Sequence, residues 1–295
     1  MPVRAPLHEV RSCPVPYITL LRPLQWLKNL MIFFPPFLGG ALFLPGMAVR
    51  GILPFLSFCL ASSATYILND IRDRENDRHH PDKKGRPLPS GRISVVGASL
   101  LAVVLACFAI AIAWTVSNAF SLCLSSYLVI SIAYSMFLKD FALIDIFCIS
   151  AGFLLRLEAG GVAFGIPISE WLFLSVFLLS VFLSTGKRFS EKKRLGATAA
   201  HHRKALVAYP DGFLQGAMYM TGSAVLVTYT MYVIARHSTL LVYSVPLCCY
   251  GLLRYMLRVQ TGKGGDPTES LFRDIPLLVV GLVWVVMVGW GIYCQ

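Results

Sequence analysis

Asn69, Asp70, Asp73 and Asp77 follow one another at helical spacings in the stretch NDIRDREND. On a continuing helix, steps of three and four residues stack these oxygen-bearing side chains on one face. Carboxylates stacked in this way repel one another unless a cation sits among them. Hard oxygen donors of this kind suit Mg2+, which completes its shell with water and phosphate oxygens. Downstream, Lys83, Lys84, Arg86 and Arg92 can supply counter-charge for phosphates, while Pro81, Gly85, Pro87, Pro89 and Gly91 shape a turn. The competing description is a solvated loop with ordinary pairs such as Asp70–Arg74.

A second constellation reads Gly186-Lys187-Arg188-Phe189-Ser190-Glu191, one acid with two bases. Arginine grips phosphate with a bidentate fork and lysine as a point charge, so Lys187 and Arg188, together with Lys139, are candidate phosphate contacts. Lys83 and Arg86 come next. Glu191, one turn beyond Lys187, could orient that lysine, contact metal or sugar hydroxyls, or form a plain i,i+4 pair. Lys28, Asn29 and Tyr134 are further substrate-binding candidates, each with a bland alternative as a residue of the membrane interface. The pairs His79-His80 and His201-His202 have no metal-ligand company and are expected to face solvent.

The elements that carry these residues are apolar. Of 295 residues 56% are apolar and only 14% charged, with mean hydropathy +0.67. A bilayer core takes about 20 apolar residues per helix. Nine apolar stretches stand out at 24–44, 48–69, 93–114, 118–138, 142–163, 169–186, 212–235, 238–259 and 272–294. The prediction is an all-α polytopic membrane protein of about nine transmembrane helices around a central cavity. It forms one integral-membrane domain over 1–295, with loops 70–92 and 187–211 as active-site loops. These loops follow spans two and six, so helices 1–4 and 5–8 read as possible halves, plus a ninth helix.

The net charge is +11. Under this topology 23 of the 26 Lys and Arg residues fall on one side. That asymmetry places both charged loops on the cytoplasmic face, and the excess then needs no nucleic-acid partner. Asp145 and Arg156 lie within spans, where ionisable groups are expensive and face a partner or a cavity. A pair between Arg156 and Glu158 is disfavoured, because residues two apart do not share a helix face.

On these residues the chain resembles the UbiA superfamily of intramembrane prenyltransferases. The likeness rests on the NDxxDxxxD pattern after the second span and on Tyr134-Ser-Met-Phe-Leu-Lys139 after the fourth. Members with a prenyl diphosphate donor carry a second DxxxD where this chain has Gly186-Lys187-Arg188. That departure is similar to the decaprenyl-phosphate phosphoribosyltransferase branch, as are Arg22-Pro-Leu-Gln-Trp-Leu-Lys28-Asn29, Leu155-Arg156 and Tyr250-Gly-Leu-Leu-Arg254-Tyr255. The resemblance implies a Mg2+-dependent transferase in a bacterial plasma membrane. Phosphoribosyl diphosphate would be the donor and a long-chain polyprenyl phosphate the acceptor, giving a sugar lipid for the cell envelope. Asp70, Asp73 and Asp77 are then the metal ligands, and Asp73, Asp77, Lys187, Arg188 and Glu191 the catalytic set. Two alternatives stay open: an aromatic prenyltransferase with a polyprenyl diphosphate donor and, more remotely, a membrane transporter.

Overall fold

A computed structural model describes residues 15–79, 83–196 and 204–294, and among these every regular element is helical. The histidine pairs fall largely outside the described residues. Eight helices are long and apolar enough to cross a membrane. We number them α1 (Ile52–Arg72), α2 (Val95–Val116), α3 (Asn118–Met136), α4 (Ile144–Phe164), α5 (Glu170–Leu195), α6 (Phe213–Ala235), α7 (Ser244–Gln260) and α8 (Ile275–Tyr293). Their starts carry local signals: Ser94, Ser117, Ser169 and Asp274 each accept a hydrogen bond from a backbone N–H in the first turn. Such caps satisfy donors that a helix end leaves orphaned.

The predicted first span takes another form. Pro23–Phe33 is a 3-10 helix of 11 residues, continued by a five-residue α-helix, Phe34–Leu38. Arg22 precedes it in a left-handed conformation, φ 53°. The break follows from Pro23, Pro35 and Pro36, which supply no backbone N–H for a regular ladder. A 3-10 helix rises about 2.0 Å per residue, so 11 residues reach ~22 Å, and five α-helical residues add ~7 Å. Laid end to end these lengths approach the ~30 Å of a bilayer core, yet the element is not one of the eight apolar spans, so the expected ninth transmembrane helix is not found in that form among the described residues.

Of the five hydrophobic clusters among the described residues, two flank the site-bearing helices. Ile32, Phe58, Phe120, Leu124 and Tyr127 pack between the 3-10 helix and α1–α4. Phe182, Met218, Val225 and Tyr255 pack between α5, α6 and α7. α1 and α5 are more than half buried, whereas α2 and α8 bury little. The outer helices turn Val103, Phe108, Trp114, Val283, Val286 and Trp290 outward. An apolar surface of that extent belongs in lipid, and the chain is an integral membrane protein.

The 3-10 helix seats on α4 at Gly160, where an added Cβ would stand 2.3 Å from the Ile32 carbonyl oxygen. Small residues allow such backbone approach in membranes. Gly160→Val should therefore displace the first element and destabilise the protein by about 1–3 kcal/mol or more. Thermal unfolding in detergent reads this. Gly216→Ala, whose Cβ meets nothing within 4 Å, serves as the control and should leave the midpoint unchanged or slightly raised.

Candidate active site

The candidate side chains gather at one end of the bundle. α1 ends at Arg72, but the Asp73 N–H still donates to the Asn69 carbonyl at 2.9 Å. The Asp77 N–H in turn donates to the Asp73 carbonyl at 2.8 Å. The chain thus continues as the short helix Arg74–His79. Asp70 and Asp77 are buried and Asp73 is a quarter exposed. All three carboxylates hold cations. The Nη1 atom of Arg86 reaches Asp70 at 3.2 Å and Asp77 at 2.9 Å. Lys83 lies 3.5 Å from Asp77, Lys139 pairs with Asp73, and Arg22 pairs with Asp70 while lying over the Tyr66 ring. Arg22 is a member of this cluster that no helical spacing to the carboxylates announces. Its left-handed backbone is a strained conformation of the kind that clusters at functional sites.

The second constellation lies on a helix and not in a loop. α5 runs to Leu195 before Gly196 ends it, so the predicted boundary at residue 186 is corrected. The segment GKRFSEKKRL is rich in good helix formers and has no proline. Lys192, Lys193 and Arg194 in the last turn also suit the helix dipole. Within it Arg188 is 1% exposed. Its Nε donates to Asp145 at 2.5 Å, one Nη to Glu191 at 2.6 Å and the other to Tyr134 at 3.0 Å. The remaining Asp145 oxygen accepts from the Tyr209 hydroxyl at 2.8 Å, and that hydroxyl receives the Leu143 N–H at 2.8 Å. Arg188, Glu191 and Tyr134 therefore tie α5 to the α3–α4 turn that carries Lys139. A guanidinium engaged on all three nitrogens positions its neighbours, so Arg188, expected as a phosphate contact, has three of its five N–H donors committed to holding α5 in place.

Lys187 points elsewhere. Its ammonium donates to Asp266 at 2.9 Å, across a sequence separation invisible to any spacing rule. Asp266 also caps the short helix Pro267–Arg273, accepting the Thr268 and Glu269 N–H groups at 3.1 and 3.3 Å. Burial alone would raise its carboxyl. The charges of Lys187 and Lys28 and these hydrogen bonds outweigh burial and hold it well below the usual carboxylate range. The sequence did carry a signal: Asp-Pro-Thr-Glu after a glycine run is a helix start, with a capping residue, proline and an acid in the first turn.

Asn29 is fully buried. It donates to Ser62 and Cys59 at 3.3 Å and accepts from the Arg156 Nε at 2.7 Å. It anchors the first element, and with no exposed surface it is placed for that role rather than for the substrate contact expected above. Arg156 also donates to the Gly152 carbonyl at 2.7 Å and to Tyr127 at 3.0 Å, with its guanidinium 4.5 Å from the Tyr127 ring centroid. Glu158 takes no part, as expected. Asn69 is half-buried beside the carboxylates.

Among the described residues no group of three or more His, Cys, Asp or Glu side chains is arranged to hold a metal. The donor chemistry nevertheless fits Mg2+. Arg86 already brings one cationic atom within 3.2 Å of both Asp70 and Asp77, and Mg2+ commonly takes one or two carboxylates and the rest from phosphates and water.

A bundle of apolar helices with its charged chemistry at one end defines an integral-membrane enzyme. The chain belongs to the UbiA prenyltransferase family, whose model matches residues 33–275. A decaprenyl-phosphate phosphoribosyltransferase of Mycolicibacterium smegmatis is 32% identical, covering 94% of this chain and 92% of that protein. One of Corynebacterium glutamicum is 34% identical, covering 94% of this chain and 86% of that protein. The fold matches that of a UbiA homolog from Archaeoglobus fulgidus solved with GPP and Mg2+. The TM-score is 0.72 at 20% identity, over 95% of this chain and 100% of that one.

Proposed function

We propose that the protein transfers the 5-phosphoribosyl group of phosphoribosyl diphosphate to the phosphate of a long-chain polyprenyl phosphate, releasing diphosphate, with Mg2+ as cofactor. The observation that carries this reading is the replacement of a second acidic motif by Lys187 on α5, in a chain 32–34% identical over most of its length to decaprenyl-phosphate phosphoribosyltransferases. Two phosphorylated substrates bring more anion than one prenyl diphosphate, and the site answers with bases.

The reaction is a displacement at ribose C1. The lipid phosphate oxygen is already ionised at neutral pH, so it attacks without a strong general base, and catalysis rests on positioning and charge stabilisation. Asp70, Asp73 and Asp77 are the residues that would hold Mg2+, which would neutralise the departing diphosphate. Arg86, Lys83 and Lys139 now bind the carboxylates. When substrate phosphates arrive these bases turn to them, and the carboxylates are freed for the cation. Arg188, with Asp145, Glu191 and Tyr134, keeps the Lys139 turn in register. The basic asymmetry supports a site at the cytoplasmic face of a bacterial inner membrane.

Purified protein given labelled phosphoribosyl diphosphate and polyprenyl phosphate should form a labelled sugar lipid, lose that activity with EDTA and regain it with Mg2+. Prenylation of an aromatic acid from a polyprenyl diphosphate, without any sugar lipid, would overturn the proposal.

A further inference from the structure

Ala142, Leu143 and Ile144 make a sharp corner between the turn that carries Lys139 and α4. The Ile144 N–H donates back to the Ala142 carbonyl at 2.8 Å. Leu143, between them, has φ 65° and ψ −47°. A hydrogen bond closed over three residues with those angles is the γ-turn of the rare hand, a strained conformation. Glycine reaches positive φ freely, whereas a side chain is crowded there, and this corner holds a leucine. Strain of this kind persists only where the surroundings enforce it.

The enforcing group is a hydroxyl from a distant segment. The Tyr209 oxygen accepts the Leu143 N–H at 2.8 Å and donates its own proton to Asp145 at 2.8 Å. One atom thus grips both sides of the corner. Tyr209 is 2% exposed and packs with Ile146, Val181 and Leu214. Its ring stacks on Phe213 with centroids 5.8 Å apart, and its carbonyl accepts the Lys192 ammonium of α5 at 2.7 Å. The local sequence prepares this placement. Tyr209 precedes Pro210, which restricts it to extended conformations, and Pro210-Asp211-Gly212 turns the chain into α6, with Gly212 at φ 80°. On the other side of the corner Lys139 sits in the short 3-10 turn Leu138–Asp140 and pairs with Asp73.

We infer that Tyr209 is a positioning residue of the site: its hydroxyl holds the strained corner at Leu143, and the corner sets Lys139 beside Asp73 of the carboxylate motif. Without the hydroxyl the corner loses the bond that opposes relaxation of Leu143 to negative φ, and the turn bearing Lys139 moves with it. This inference deepens the function proposed above, and its kinetic test rests on that reading.

Tyr209→Phe keeps the ring and removes the hydroxyl. In the full-length variant in detergent, hydrogen exchange of the amides in 138–144 should speed up by about tenfold or more, while amides in the middle of α4 stay protected. Sugar-lipid formation should lose about tenfold to a hundredfold in kcat/KM, the scale of a small misplacement at a positioned group. Two comparisons separate positioning from a general loss of structure. In the Lys139→Gln background the same change should cost less than about twofold, because both residues act through one group. Leu143→Gly, which takes the corner conformation without strain, should restore most of the turnover to Tyr209→Phe, and its folding as well if the single variant unfolds. Unchanged exchange and turnover in Tyr209→Phe, an equal loss in the Lys139→Gln background, or no recovery with Leu143→Gly each overturns the inference. A wild type that makes no sugar lipid removes the proposed function, and exchange at the corner then decides the role of Tyr209 by itself.

Discussion

Asp77→Asn should lower sugar-lipid formation by about a thousandfold, the scale of losing several kcal/mol of metal-borne charge stabilisation. Expression and unfolding temperature should stay near those of the wild type. Asparagine keeps the shape of the side chain and removes the charge a cation needs. In the resting protein Arg86 still has Asp70 at 3.2 Å, so the fold loses one of two contacts there. Lys83, 3.5 Å from Asp77, is a third exposed and loses little. Raising Mg2+ should not rescue the variant. Turnover like that of the wild type would show that the carboxylate motif does not hold the metal.

Asp145→Asn should act in the opposite way, through the fold. Asp145 is fully buried and Arg188 nearly so. Removing the Asp145 charge leaves Arg188 with Glu191 as its only carboxylate and weakens the acceptor of the Tyr209 hydroxyl, at a cost of up to about 3–5 kcal/mol. The variant should unfold at markedly lower temperature in detergent and express poorly. The double replacement Asp145→Leu with Arg188→Met should recover much of the stability, because a buried ion pair is often replaceable by apolar side chains. Its activity should stay low, since Tyr134 and the turn bearing Lys139 lose their tether. An Asp145→Asn protein as stable as the wild type would show that the pair does not hold α4 to α5.

These two cases mark what spacing can reveal. The carboxylate motif was legible because its members sit within one helical path, where sequence distance fixes which side chains share a face. Its basic partners Lys83 and Arg86 are close in sequence and were legible for the same reason. Arg188 had the right charge for a phosphate contact. Its burial against Asp145 was not visible, because it depends on α4 and α5 meeting. The cost of a charge within a span did mark Asp145 and Arg156 as partnered residues, without saying by which groups. Asp266 was missed altogether. Its local pattern announces only a helix start, and its meaning comes from Lys187. The spans from 48 to 294 were legible from hydropathy, save the charged end of the sixth. There a charged but strongly helical stretch carries α5 beyond its apolar part. The first span was misjudged in form because prolines trade the regular ladder for a 3-10 path.

That first element also constrains how the protein is made. Beyond its contacts on α1, its broken backbone is seated on α4, through Asn29 on Arg156 and Ile32 against Gly160. Those residues leave the ribosome more than a hundred positions later. The opening segment therefore enters the membrane before the α4 groups that complete its seating exist. Its final seating has to wait for the fifth hydrophobic segment of the nascent chain, so biogenesis closes this end of the bundle in the reverse of reading order.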